Sequence, residues 1–168
     1  MGVIFDLDQT LIHSIAADPL RRARKWSEVY GLVPTLLPYD GVTDLISDLL
    51  DRDVPLCIVT SAPRPYYERI RNYHGWKIEH SVCYHDTKLH KPHSAPIDRG
   101  VELMDVESSA VYAVGDDPKD IAAAHSAGVQ SIAVTWGAVE PDALQAASPN
   151  MVFDSVPELR DFLLGEFS

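Results

Sequence analysis

Two aspartates stand almost at the start of the chain, in the segment FDLDQTLIHS, which covers residues 5–14. Asp6 and Asp8 follow an apolar run and are separated by a single residue. Two carboxylates this close repel each other, and burial strengthens the repulsion. A positive partner must therefore compensate them, and the identity of that partner bears directly on function.

Oxygen-bearing side chains follow two further apolar runs, LCIV and VYAV. The residues that follow these two runs are Thr60, Ser61, Asp116 and Asp117. Ligands of open α/β sheets bind beyond the carboxyl ends of the strands. If the runs are strands of one sheet, we expect these hydroxyls and acids to meet Asp6 and Asp8 at one edge.

Carboxylates gathered in this way suit a hard divalent cation such as Mg²⁺, which would also relieve their repulsion. An EF-hand loop shares the D-x-D beginning, but it needs a glycine and a glutamate where this chain has Leu11 and Ala17. Lys91 stands before Pro92, and a proline biases the preceding residue towards an extended backbone. A cation, a strand-end threonine and a lysine together describe a phosphate-binding site.

Short apolar runs alternate along the chain with segments of helical period. Strands are predicted at 3–5, 55–60, 82–84, 110–114, 131–134 and 151–153, and helices at 41–51, 64–73, 94–104, 118–127, 141–147 and 156–164. Several runs lack alternation of apolar and polar residues, which is typical of strands buried on both faces of a parallel sheet. This order predicts an α/β fold, a doubly wound three-layer sandwich with a mainly parallel sheet.

Length and composition bound the class of protein. We expect one domain, 1–168, with a small flap or cap around 11–39 that has room for one helix. The net charge of −11 argues against a nucleic-acid partner, and the only basic cluster is RRARK at 21–25. We find no membrane span or signal peptide, and Cys57 and Cys83 lie far apart in apolar contexts, so a cytoplasmic protein with reduced thiols is expected.

Four motifs, in order, resemble those of the haloacid dehalogenase (HAD) superfamily of phosphohydrolases. FDLDQTL is similar to the first motif, D-x-D-x-T, and IVTSAP to the second, while KPHSAPI and VGDDPKDIAAAHSAG are similar to the third and fourth. The later segments VTWGA and VFDSVPEL resemble those of phosphoglycolate-phosphatase-like members. Most members insert a cap domain, for which 11–39 and 62–90 are too short. The chain therefore resembles a nearly capless member with an open site.

The resemblance implies catalytic roles for residues at the matching positions. Asp6 would be the nucleophile that becomes an aspartyl phosphate, and Asp8 would be the general acid and base, protonated at the start. Mg²⁺ would be held by the Asp6 carboxylate, the backbone carbonyl of Asp8, and Asp116. The implied enzyme is a phosphoric monoester hydrolase that acts on a small phosphorylated substrate.

The resemblance also implies residues that bind or support. Thr60, Ser61 and Lys91 would bind the phosphoryl oxygens, where negative charge must be offset in the transition state. Asp117 and Asp120 would contact the metal-bound waters or Lys91. Because a chain with little cap leaves the site open, a homo-oligomer could cover it.

Two other functional classes fit part of this inventory. Response-regulator receivers combine an acid pair, a phosphoacceptor aspartate and a lysine on the same kind of sheet. In receivers the acid pair precedes the acceptor and the lysine comes last, whereas here Asp116 and Asp117 follow Lys91. A protein-interaction module without catalysis would keep the fold, although the intact motifs disfavour it.

The sequence does not assign a definite function to two groups of residues near these motifs. His85, His90 and His93 surround the Lys91 turn, but their spacing is not that of a convincing zinc site. Residues 21–26 are predicted to form a short amphipathic helix whose arginines form a solvated face, with substrate contact as the alternative.

Overall fold

The structure is a computed structural model that describes residues 1–168. Its six strands are β1 (Gly2–Phe5), β2 (Leu56–Val59), β3 (His80–Val82), β4 (Val111–Gly115), β5 (Gln130–Val134) and β6 (Met151–Phe153). Its α-helices are α1 (Asp18–Arg22), α2 (Trp26–Leu32), α3 (Val42–Leu50), α4 (Arg64–His74), α5 (Ala95–Met104), α6 (Pro118–Ala127), α7 (Pro141–Ala146) and α8 (Val156–Glu166). Single turns of 3₁₀-helix lie at Ile15–Ala17, Val33–Thr35, Tyr84–Asp86 and Ser108–Ala110.

The strands form one sheet in the order β3-β2-β1-β4-β5-β6, and every neighbouring pair is parallel. The chain winds outwards from β1 to β3 on one side and from β4 to β6 on the other. This confirms the predicted doubly wound α/β fold. The change of direction lies between β1 and β4, which is where ligands bind in folds of this kind.

Two apolar clusters cover the two faces of the sheet. Neighbouring residues of a strand point to opposite faces. Accordingly, Val3 and Phe5 of β1 belong to a cluster of 29 buried residues, whereas Ile4 belongs to another cluster of 11. The strand is buried on both sides, and this is why its sequence is continuously apolar.

The segment 11–39 differs from the single helix that we expected. It contains α1, α2 and two 3₁₀ turns, and 21–26 is the junction between the two helices rather than one helix. Arg24 has a left-handed backbone, with φ of 55°, which interrupts the helical pattern. The turn allows both helices to pack against the larger cluster, so tertiary burial overrides the local periodicity.

The third strand also lies earlier than the predicted 82–84. It ends at Val82 because the backbone N–H of Cys83 donates to Asp86 Oδ2, at 2.7 Å, instead of continuing the sheet ladder. That hydrogen bond begins the 3₁₀ turn that follows. None of the helices combines the length and apolar character that crossing a membrane requires.

Candidate active site

The carboxyl ends of β1, β2 and β4 meet at an open cavity of about 580 Å³. Backbone hydrogen bonds to the neighbouring strands fix Asp6 and Thr60, the first residues after β1 and β2. The N–H of Asp6 donates to the carbonyl of Val114 and the N–H of Thr60 to the carbonyl of Val82, each at 2.9 Å. All the site residues predicted from the sequence line this cavity, namely Asp6, Asp8, Thr60, Ser61, Lys91, Asp116, Asp117 and Asp120.

Lys91 is the positive partner that the Asp6 carboxylate requires. Its ammonium group donates to Asp6 Oδ1 at 2.9 Å, to Asp120 Oδ1 at 2.7 Å and to the carbonyl of Val59 at 2.7 Å. Burial alone would lower the pKa of this amine, but Asp120 and Asp6 outweigh it, and the pKa is raised. Lys91 therefore remains charged and joins β1, β2 and α6 at one point.

One lysine does not balance the acids around it. Carboxylate oxygens of Asp6, Asp116 and Asp120 all lie within 4.8 Å of one another. Burial, acting against the charge of Lys91, raises the pKa of Asp6 to about 7. Burial and the neighbouring charge of Asp6 raise the pKa of Asp116 to about 9. An all-oxygen group with this unbalanced charge fits a hard divalent cation.

The Asp8 carboxylate does not join this group. Its Oδ1 accepts hydrogen bonds from Ser14 Oγ at 2.6 Å and from the Tyr66 hydroxyl at 2.7 Å, and it lies 3.0 Å from Arg21 Nη1. Burial, followed by the charge of Asp8, raises the pKa of Tyr66, so this phenol keeps its proton. Three donors therefore hold Oδ1 of Asp8.

Sequence reasoning missed Ser14 and Tyr66 as partners of Asp8. Ser14 is the last residue of the segment FDLDQTLIHS. Its position a few residues after the two aspartates was the only sequence feature that pointed to a contact with Asp8. Tyr66 is 58 residues from Asp8 along the chain, and no local pattern connects the two. Arg21 belonged to the basic segment for which we left substrate contact as the alternative.

The loop after β1 is braced by the segment VTWGA. The Thr10 hydroxyl donates to Asp116 Oδ1 at 2.8 Å, and Trp136 Nε1 donates to the carbonyl of Thr10 at 3.0 Å. A Cβ atom on Gly137 would lie 1.9 Å from the carbonyl oxygen of Gln9, so only glycine fits against this loop. The segment thus holds the first motif against the strand end that carries Asp116.

The remaining predicted residues have local partners as well as a place in the cavity. The Thr60 hydroxyl accepts from the N–H of Ala62 at 3.1 Å, and Ser61 beside it is exposed. Asp117 is the N-cap of α6, since its carboxylate accepts from the N–H of Lys119 at 2.8 Å. Asp120 completes the capping box by accepting from the N–H of Asp117 at 3.1 Å.

Two of the histidines around Lys91 have other contacts. His90 stacks on Tyr84 with ring centroids 4.1 Å apart, and His93 Nδ1 accepts from the N–H of Ala95 at 3.1 Å. The one group of three potential metal ligands within reach of each other consists of aspartates.

A family model described as haloacid dehalogenase-like hydrolase matches residues 20–134, which is more than half of the chain. This chain belongs to the haloacid dehalogenase-like hydrolase family. The match begins after the first motif, so Asp6 and Asp8 lie outside it.

Two curated relatives have nearly the same sequence identity to this HAD-family hydrolase. A phosphoglycolate phosphatase of Synechococcus elongatus is 28% identical over 155 residues, covering 90% of this chain and 73% of the relative. The pyrophosphatase PpaX of Bacillus mycoides is 27% identical over 132 residues, covering 74% of this chain and 59% of the relative. The chain thus spans between about three fifths and three quarters of the length of these relatives.

A solved structure agrees in fold. The crystal structure of a predicted phosphoglycolate phosphatase from Haemophilus somnus superposes with a TM-score of 0.84 at 20% identity, covering 96% of this chain and 97% of the other. The predicted family, the Rossmann-like fold and the enzyme class, a HAD-type phosphatase, are confirmed.

Proposed function

We propose that this HAD-family hydrolase is a Mg²⁺-dependent phosphatase that hydrolyses small phosphate monoesters through an aspartyl phosphate on Asp6. The observation that carries the proposal is the cluster of three carboxylates, two of which accept hydrogen bonds from the buried ammonium group of Lys91. A carboxylate at a strand end, held by a lysine and open to a cavity, is an available nucleophile.

In the first step, Asp6 attacks the phosphorus atom, and the bond to the leaving oxygen breaks as the new O–P bond forms. Asp8 gives its proton to the leaving oxygen. In the second step, Asp8 takes a proton from water, which attacks the phosphorus and restores the Asp6 carboxylate. Asp8 is therefore protonated again for the next cycle, and the proton balance closes.

Other residues of the cavity act on the phosphoryl group. Thr60, Ser61 and Lys91 bind its oxygens and offset the charge that develops there. The carboxylates of Asp6 and Asp116 and the backbone carbonyl of Asp8 would hold Mg²⁺, which, when bound, neutralises negative charge on the phosphoryl group. The buried, oxygen-only donor set supports this choice of ion. A cytoplasmic location and a covering oligomer remain predictions.

The test is intact-mass spectrometry after incubation with acetyl phosphate and Mg²⁺. We expect no mass gain for Asp6→Asn, because no nucleophile is left. Asp8→Asn should retain one phosphoryl group, since loss of a general acid and base typically slows a step by about 10²–10⁴-fold. The control, Asp51→Asn, changes an exposed acid and should behave as wild type.

Each rival predicts a different result in the same experiment. A phosphoacceptor module would show a long-lived phosphoryl group on the wild type, and an interaction module would show none on any variant. A mass gain on Asp6→Asn would contradict the assignment of the nucleophile.

A further inference from the structure

A second pocket, of about 560 Å³, opens beside the catalytic cavity and is here named the outer pocket. Asp18, Arg21, Arg22 and Ser61 line both spaces, so the two are continuous. Arg24 lines only the outer pocket. A group bound at Asp6 and Lys91 can therefore extend past Arg22 towards Arg24.

The arginines of the outer pocket differ in what they contact. Arg21 is committed within the protein, since its Nη1 lies 3.0 Å from Asp8 Oδ1 and 3.6 Å from Asp18 Oδ1. Arg22 and Arg24 are exposed and take part in no ion pair within 4.0 Å. The chain has 25 acidic side chains and only 14 lysines and arginines. Two arginines without an acidic partner, both beside the site, are therefore unexpected in this chain.

Two aromatic side chains, Trp26 and Tyr84, also line the outer pocket. Trp26 is partly buried, and Tyr84 is 42% exposed while its ring stacks on His90. Flat apolar surface of this kind can cover the carbon skeleton of a bound organic group. The pocket therefore offers an apolar wall and two free positive charges to a molecule that begins at the catalytic cavity.

We infer that the outer pocket binds the leaving group of the substrate, and that this leaving group carries a second anionic group, a carboxylate or a phosphate, held by Arg22 and Arg24. The inference rests on the proposed function, which puts the transferred phosphoryl group at Asp6. Arg22 lines both spaces and meets the second charge of a short leaving group. Arg24 meets only the charge of a longer one.

The experiment compares kcat/KM for matched esters that differ in the second charge. The short pair is 2-phosphoglycolate and 2-hydroxyethyl phosphate, and the long pair is pentane-1,5-diol bisphosphate and its monophosphate. We expect the anionic member of each pair to be favoured about tenfold in the wild type, because hydrogen bonds between charged groups are the strong ones. This preference should weaken as salt is raised, since both arginines are exposed.

The variants assign the preference to residues. Arg22→Ala should abolish it for the short pair, and Arg24→Ala should abolish it for the long pair. Arg99→Ala is the matched control, because Arg99 also is an exposed arginine but pairs with Glu102 on α5. It should leave both preferences as in the wild type. A carboxylate ligand is distinguished from a phosphate ligand by comparing phosphoglycolate with ethane-1,2-diol bisphosphate.

Failure of the inference and failure of the proposed function give different results. Equal kcat/KM within each pair, or a preference that survives both arginine variants, overturns the inference while the phosphatase stands. If no ester is hydrolysed, the proposed function fails. Calorimetric binding of phosphoglycolate to Asp6→Asn then still tests the outer pocket, and equal affinity for 2-hydroxyethyl phosphate overturns the inference there as well.

Discussion

Tyr66 and Tyr67 are neighbours on α4, and both are buried, but only one of their hydroxyls has a partner. The Tyr66 hydroxyl donates to Asp8 Oδ1, whereas the Tyr67 hydroxyl is buried without a hydrogen-bond partner. A donor that fixes one carboxylate oxygen also fixes the orientation of the whole carboxyl group, and Asp8 lines the cavity. We therefore interpret Tyr66 as a positioning residue for the proton transfer by Asp8.

Tyr66→Phe should slow the hydrolysis of esters with poor leaving groups. Asp8 becomes a carboxylate as it gives up its proton, and loss of a hydrogen bond to that developing charge should cost about tenfold in kcat for an alkyl phosphate. An aryl phosphate with a good leaving group needs little protonation, so its first step should change much less. Steady-state and burst kinetics with p-nitrophenyl phosphate and an alkyl phosphate measure this difference.

Tyr67→Phe is the matched control for this variant. Removing a buried hydroxyl that has no partner should leave kcat unchanged for both esters and should not lower stability. Equal losses for the alkyl and aryl esters in Tyr66→Phe would indicate a general structural role and would contradict the positioning of Asp8.

At the scale of elements, the segment 11–39 is continuous with the core rather than a loosely attached flap. Val29, Val33 and Leu36 belong to the larger cluster, together with Phe5 from the centre of the sheet. A hydrogen bond from outside the segment also ties it down, since Nε2 of His74 on α4 lies 2.9 Å from the carbonyl oxygen of Leu36. We expect it to unfold with the sheet in one cooperative transition.

Leu36→Ala should therefore lower the free energy of unfolding of the whole chain by about 2–5 kcal/mol, as is usual for a leucine removed from a core. The neighbouring Leu37 is 58% exposed, against 1% for Leu36, so Leu37→Ala should change it by about 0.5 kcal/mol or less. Urea denaturation followed by circular dichroism measures both. A flap that opens independently would give a separate early transition, with the main midpoint unaltered in Leu36→Ala.

At the scale of the whole molecule, the proposed site concentrates negative charge in a chain that already carries −11. Lys91 pairs with Asp6 and Asp120, while the neighbouring Asp116 takes part in no ion pair within 4.0 Å. A site of this kind stores repulsion in the folded state when no cation is present. Binding of Mg²⁺ should relieve that repulsion and stabilise the fold by linkage.

Saturating Mg²⁺ should raise Tm relative to EDTA at the same ionic strength. At 100 times Kd the stabilisation is about 2.7 kcal/mol, which corresponds to roughly 5–10 °C for a domain of this size. Asp116→Asn should lose most of this increase, because a carboxylate ligand is removed. In EDTA the same variant should melt no lower than the wild type, since one source of repulsion is gone while the bond from Thr10 can be kept.

Asp51→Asn changes an acid outside the cavity and serves as the control for the thermal measurement. It should respond to Mg²⁺ as the wild type does. An Asp116→Asn variant with the full Mg²⁺-dependent increase, or a wild type with none, would contradict the proposed metal site.

The succession of strands along the chain, the doubly wound fold and the residues at the carboxyl ends of the strands could be predicted from the sequence. Apolar runs are recognisable because burial on both faces selects them locally, and the parallel topology then brings the ends of β1, β2 and β4 together. This is why every predicted site residue lies at one cavity, although they are spread from Asp6 to Asp120. The family resemblance added the roles, which the patterns alone did not assign.

The tertiary structure decided what those residues contact. The hydroxyl that holds Asp8 comes from Tyr66, and the ammonium group between Asp6 and Asp120 comes from Lys91, 85 residues after Asp6. The turn at Arg24 arises because Leu20 of α1 and Val29 of α2 both pack against the same cluster. Local periodicity indicates which side of a helix or strand is buried. The partner of a buried charge, in contrast, is a residue that can be distant along the chain and that only folding brings close. That proximity is a property of the folded chain as a whole.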